Sequence, residues 1–298
     1  MTKELTPTIV NEWLNQVTGT FLVRDIWAEL GIVTPNGRNH LRVILYRMET
    51  DKKVVNLGSG KYRKADNSKH PIDWQAANPD KWVPLLLPFN IHTVAKIYPK
   101  SIIIVTGGKN QGKTSYLLET IKLNAGTLNM PVDLFNSETG PEQLKERLAP
   151  LDFPNPPPFN AYERYDNFAD AIEPDHLSVI DYLDFNSELY MVGTEIDNIF
   201  RKLTTGVAII GLQKPPPAEI LYKGQKKLIE RDLAYGGAFT AKRAVLYISL
   251  SYKLLKLVYV KTPMQPKVNP NNMQWSYDFD ETGYFSNIKR FYGDNSLL

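Results

Sequence analysis

Residues 101–115 read Ser101-Ile-Ile-Ile-Val-Thr-Gly-Gly-Lys-Asn-Gln-Gly-Lys-Thr-Ser115. The first six make a short apolar, β-branched run, which predicts a buried strand. Tyr116, Leu117, Leu118 and Ile121 follow at the spacing of an amphipathic helix. Between strand and helix lies G-x-x-x-x-G-K-[ST], in the strand–loop–helix setting that gives this motif its chemistry. Glycines let main-chain N–H groups curl around a phosphate, and the helix start adds the positive end of its dipole. The candidate phosphate-binding set is Gly107, Gly108, Lys109, Asn110, Gln111, Gly112, Lys113, Thr114 and Ser115. Lys113 is suited to neutralising the outer phosphate oxygens, and the Thr114 hydroxyl to binding Mg2+.

Working outward, two apolar runs end in carboxylates. Leu177-Ser-Val-Ile-Asp181 places Asp181 where a sheet edge could hold Mg2+ through water, although a strand-terminal aspartate with no ligand has the same pattern. Val132-Asp-Leu-Phe-Asn-Ser-Glu138 places Glu138 25 residues after Lys113, as a candidate general base for an attacking water. Thr139-Gly-Pro141 also makes Glu138 an ordinary helix-start glutamate. Beyond residue 90 the chain alternates apolar runs with amphipathic stretches, which predicts an α/β domain around a mostly parallel sheet. The proline clusters at 154–158 and 215–217 read as loops, and Thr282-Gly283 as the turn of a terminal strand pair.

Composition narrows the class. The 298 residues are 43% hydrophobic and 22% charged, which sets aside disordered, collagenous and coiled-coil chains. With no cysteine, thiol catalysis, disulfide scaffolds and thiolate zinc sites are excluded. The longest apolar runs are too short to cross a bilayer and the start carries no signal-like core, so a cytoplasmic protein without membrane contact is expected.

The net charge of +3 is unevenly spread: residues 1–64 hold ten basic and six acidic side chains. Such a cluster suits a nucleic-acid contact, and equally a solvated surface. In this segment Ile9, Val10, Trp13, Leu14 and Val17 form one helical stripe with Thr8 as the candidate N-cap. Val23, Ile26, Trp27 and Leu30 form a second, closed by Gly31; Thr34-Pro35 opens a third carrying Leu41, Ile44, Leu45 and Met48. Residues 53–57 and 61–64 then read as two strands around Gly-Ser-Gly. The order of three helices and a basic hairpin resembles a winged helix, over about residues 7–65. That resemblance implies DNA contact by Arg38, Asn39, Arg42 and Arg47 on the third helix and by Lys61 and Arg63 on the wing. A protein-docking module is the alternative.

The later motifs are more specific. Leu134-Phe-Asn-Ser-Glu-Thr-Gly-Pro-Glu-Gln-Leu-Lys-Glu-Arg-Leu148 is similar to the segment after the second strand in DnaB-type replicative helicases. Val179-Ile-Asp-Tyr-Leu183 resembles their metal-binding strand, Gly206 to Gln213 their sensor strand, and Arg231 to Gly237 the stretch before their final motif. The chain thus resembles RecA/DnaB-like P-loop ATPases of phages and mobile elements, with a winged-helix domain at 1–65, a linker at 66–90 and the ATPase domain at 91–298.

The resemblance implies ATP and Mg2+ as cofactors, Lys113, Glu138 and Gln213 as catalytic groups, and Thr114 and Asp181 as metal ligands. It implies a homo-oligomer, ring or filament, and a DNA-facing loop through Lys214, Lys223, Lys226, Lys227 and Arg231. Family members complete each site from the next subunit with Lys-x-Arg; here Lys261-Thr-Pro263 supplies the lysine but not the arginine. Lys261 acting alone is one candidate for that role, and Lys242, Arg243 and Lys267 are its substitutes. Three functions stay open: a helicase-like motor or filament, a slow ATP-controlled switch such as a helicase loader, and a DNA-binding regulator whose second domain only oligomerises.

Overall fold

The computed structural model describes residues 5–69, 71–181, 191–222 and 225–293; the side chains of residues 220–222, 225 and 227 lie outside this description. The chain divides into two compact units, Met1–Ala77 and Asn78–Leu298.

The first unit runs α1 (Pro7–Gln16), β1 (Thr20–Leu22), α2 (Val23–Glu29), α3 (Pro35–Thr50), β2 (Val54–Asn56) and β3 (Lys61–Lys64). Helix α1 begins earlier than a cap at Thr8 would allow. Thr6 is its N-cap, accepting from the Ile9 amide, because Pro7 at the first helical position has no N–H to satisfy. Helix α3 starts as its sequence predicts: the Thr34 hydroxyl accepts from the Gly37 amide at 3.1 Å, with Pro35 next. Three residues were too few for a legible strand signal at β1, yet it pairs with β3 to give the antiparallel order β1-β3-β2. Val10, Leu14, Ile26, Leu41, Ile44 and Leu45 form the core, each contributing roughly 1.5–3 kcal/mol by leaving water.

The second unit contains β4 (Ser101–Gly107), α4 (Lys113–Asn124), β5 (Val132–Asn136), α5 (Pro141–Leu148), β6 (Asn160–Glu163), α6 (Phe168–Ala171) and β7 (Leu177–Asp181). After these come α7 (Met191–Lys202), β8 (Val207–Gln213), β9 (Ala218–Tyr222), β10 (Gln225–Ile229) and α8 (Ala238–Ala241). The chain closes with β11 (Ala244–Ser251), β12 (Leu254–Val260), β13 (Gln274–Phe279) and β14 (Phe285–Phe291). Among the described residues, nine strands form one sheet in the order β14-β13-β12-β11-β4-β8-β7-β5-β6. From β11 to β6 every pairing is parallel; β12, β13 and β14 extend the sheet antiparallel.

Strands β4, β5 and β7 are buried at every position, as expected where both faces are covered. Alternation divides their side chains between two cores. Ile103 and Val105 pack with Leu117 and Ile121 of α4, and Ile102 and Ile104 with Ile196 and Ile199 of α7. The stretch read as a linker supplies part of this structure: Val83, Leu85, Leu87 and Phe89 are buried in the second unit's core. Asn124 fixes it there, accepting from the Leu86 amide and donating to the Leu86 carbonyl. Pro84 and Pro88 interrupt this alternation in the sequence and hide its period.

Candidate functional site

The phosphate loop forms where β4 ends. Asn110 and Gly112 take positive φ, 59° and 89°, and Gly112 caps α4 from the left-handed region. A side chain at Gly112 has no room: a Cβ there would lie 2.9 Å from the Phe285 ring and 3.0 Å from the Phe279 ring. The loop is braced from several elements. The Gly108 amide donates to Gln111 Oε1 at 2.5 Å, and the Lys214 amide to the Gly107 carbonyl at 3.1 Å. The Tyr277 hydroxyl sits 3.1 Å from the Gln111 carbonyl oxygen, and the Ser115 hydroxyl donates to the Gly283 carbonyl at 2.8 Å.

Gly108 through Ser115 line a cavity of about 890 Å3 together with Glu138 and Gln213. Gly107 ends β4 beneath it, and Asp181 ends β7, separated from β4 by β8. This order is what brings the two acids to the loop. Glu138 follows β5, Asp181 ends the neighbouring β7, and Gln213 ends β8 beside Gly107.

Electrostatics mark Asp181 as the unusual group. It is 4% exposed, and burial lifts its carboxyl to about 6 against the hydrogen bond it receives from the Thr114 hydroxyl. The Glu138 charge raises it further, while Lys113 and Arg147 pull it down. Burial likewise lowers the Lys113 ammonium, against the attraction of Asp181 and Glu138. Asp181 Oδ1 is buried with no hydrogen-bond partner. A carboxylate oxygen left so costs free energy until a cation or donor meets it. A hard divalent cation fits: it takes oxygen ligands, and the Thr114 hydroxyl and Asp181 carboxylate already adjoin.

An α/β sheet of this strand order, with the phosphate loop on one central strand and the buried acid on the next strand but one, settles the architecture. The fold is a RecA/DnaB-like P-loop core. Comparison with family models finds no match, and comparison with curated proteins finds none. Among solved structures, the chain is similar to the ATPase domain of a DnaB-family helicase, at 12% identity and TM-score 0.44, over 64% of this chain and 86% of that one. It is also similar to the RadB recombinase, at 14% identity and TM-score 0.40, over 62% and 90% of the respective chains. Among the described residues no helix is long and apolar enough to cross a membrane.

Other sequence-selected residues fall elsewhere. Lys261 follows β12 and lines a second cavity, of about 450 Å3, with Lys96, Lys100, Lys242 and Arg243. The chain turns Lys214 inward, correcting its place on an exposed basic loop. It is 3% exposed, donates to Ser249 and Ser251, and lies 3.6 Å from Glu230. Lys226 is exposed on β10 and paired with Glu219 at 3.1 Å. Lys223 and the Lys227 side chain lie outside the described residues. In the first unit Arg38, Asn39, Arg42 and Arg47 are exposed on α3, and Lys61 and Arg63 on β3. Arg38 stacks over the Trp27 ring at 4.6 Å, to one side of the outward stripe of Asn39, Val43 and Arg47.

The sequence pattern missed Arg147, Phe279, Thr282, Gly283 and Tyr284 on the wall of the first cavity. Arg147 lay within a quoted motif, and a basic side chain nine residues after Glu138 was its only signal. The turn residues gave none, because 160 or more residues separate them from the loop they cover.

Proposed function

We propose that this chain is an oligomeric, DNA-binding ATPase that hydrolyses ATP with Mg2+. The observation that carries the reading is the partnerless Asp181 Oδ1 beside the Thr114 hydroxyl, at the edge of a cavity that also holds Lys113, Glu138 and Gln213. Thr114 and Asp181 would hold Mg2+, which when bound supplies charge neutralisation across the phosphates. Lys113 and the N-terminus of α4 bind the phosphate chain. Glu138, exposed at the cavity wall, accepts the proton of an attacking water. Gln213 joins β8 to the loop beyond it, so it can register the terminal phosphate and pass on its loss.

The first unit is read as a winged helix on its element order and on the exposed cations of α3 and β3. The chain is proposed to act as a motor or filament in DNA replication, recombination or mobile-element maintenance, within the cytoplasm. The test is Lys113→Ala in the full chain, which should abolish ATP turnover and leave duplex binding, read by anisotropy, unchanged. Turnover surviving in that variant would remove the site assignment.

A second reading, a slow ATP-controlled switch, is favoured by Pro263 in the position of the family's trans-acting arginine. Forked-duplex unwinding separates the two, because a switch shows nucleotide-dependent binding without strand separation.

A further inference from the structure

The Glu138 carboxylate stands on a short loop after β5, and one buried side chain organises that loop. Asn136 is the last residue of β5, is 7% exposed, and lies directly across the parallel ladder from Asp181. Its Oδ1 faces the Glu138 amide at 3.4 Å, the Thr139 amide at 3.3 Å and the Thr139 hydroxyl at 3.3 Å. Its Nδ2 donates to the Thr139 carbonyl. Both ends of one amide are therefore spent on residues 138 and 139, in the manner of an Asx turn closed from both sides. On the other flank, the Ser137 amide donates to the Asp181 carbonyl at 2.9 Å.

We infer that Asn136 is a positioning residue, setting where the Glu138 carboxylate stands relative to Asp181. This rests on the hydrolytic reading above. Asparagine suits the task because it offers an acceptor and a donor without charge; a carboxylate would add a third negative group beside Glu138 and Asp181, and a shorter hydroxyl would not reach both partners. Asn136 does not itself line the cavity and binds no atom of the phosphate loop, so its loss should act on turnover and not on nucleotide capture.

The experiment is a double-mutant cycle on the full chain, with steady-state and single-turnover ATP hydrolysis for the parent, Asn136→Ala, Glu138→Gln and the pair. Expected for Asn136→Ala is a loss of kcat of at least about tenfold with KM for ATP within about twofold. In the Glu138→Gln background the same substitution should cost less than about twofold, since it acts only through that carboxylate. Asn136→Asp keeps the accepting oxygen, at some cost from its charge, and should return kcat to within about fivefold of the parent; it also serves should the alanine variant fold poorly. Equal losses with and without Glu138, or an effect confined to KM, would overturn the inference while leaving the ATPase reading intact. A parent chain that turns over no ATP overturns the reading itself, and this inference with it.

Discussion

The two ends of the parallel strands carry opposite chemistry. At their carboxyl ends, β5, β7 and β8 lead to Glu138, Asp181 and Gln213 around the phosphate loop, and one carboxylate oxygen is buried without a partner. At the other edge Lys96, Lys100, Lys242, Arg243 and Lys261 line one cavity, with no acid among its described lining residues. Some of these cations are already engaged: Arg243 binds Asp197 and stacks on Phe200, and Lys96 stands over Trp82. One edge is thus built to receive a polyanion with its cation, and the other presents positive charge without a matching acid. In one chain the edges are apart; the proposed oligomer would let one copy's cations meet a neighbour's phosphates.

The largest test of this contrast is removal of charge at the carboxyl edge. Lys113→Ala should reduce ATP turnover by about a thousandfold or more, measured by phosphate release, because both ground-state and transition-state charge lose their counterion. Glu138→Gln should lower kcat by about 10²- to 10³-fold while nucleotide affinity by calorimetry stays within about threefold, separating chemistry from binding. The opposite edge comes next. Lys261→Ala should lower kcat by about 10- to 100-fold at concentrations where the chain assembles. Mixing that variant with Glu138→Gln should recover activity, since one mixed interface pairs two intact halves; additive low activity would confine each site to one chain.

The smallest effect concerns stability. Burial lifts the Glu119 carboxyl from 4.5 to about 7, against the hydrogen bond it accepts from the Phe285 amide. The folded chain then holds this proton more tightly than the unfolded chain does between pH 4.5 and about 7. Its contribution to stability is accordingly most favourable at the acid end of that window and declines as pH rises through it. Glu119→Gln keeps the acceptor and removes the charge. It should raise stability at about pH 8 by on the order of 1 kcal/mol, a figure discounted for partial solvent screening, and flatten the slope of denaturation midpoint against pH. An unchanged slope would assign the Glu119 environment no thermodynamic weight.

Local chemistry was legible in the sequence and remote chemistry was not. The strand–loop–helix at 101–124 and the apolar runs ending in Asp181 and before Glu138 could be read because each is set by residues close in the chain. Helix α3 announced itself through Thr34-Pro35 and its apolar stripe. The terminal turn at Thr282-Gly283 was legible as a turn, and Gly283 takes φ of 83° there, but its place over the phosphate loop depends on three antiparallel additions to the sheet. Lys214 looked like a loop cation because the prolines after it signal a loop; what buries it are Ser249, Ser251 and Glu230, contributed by distant segments. The role of Asn136 was hidden for a different reason. An asparagine shortly before a glutamate is common, and only its buried place opposite Asp181 gives both ends of its amide a use.

The rings of Phe279 and Phe285 resting on Gly112 carry a consequence for biosynthesis. The chain is made from its amino end, so α4 and the strands around it leave the ribosome well before the residues that roof them. Until Phe285 has emerged, the glycine that turns the chain into α4 lies bare, and ATP meets an incomplete pocket. Nucleotide can therefore stabilise the finished protein but cannot shepherd its nascent forms.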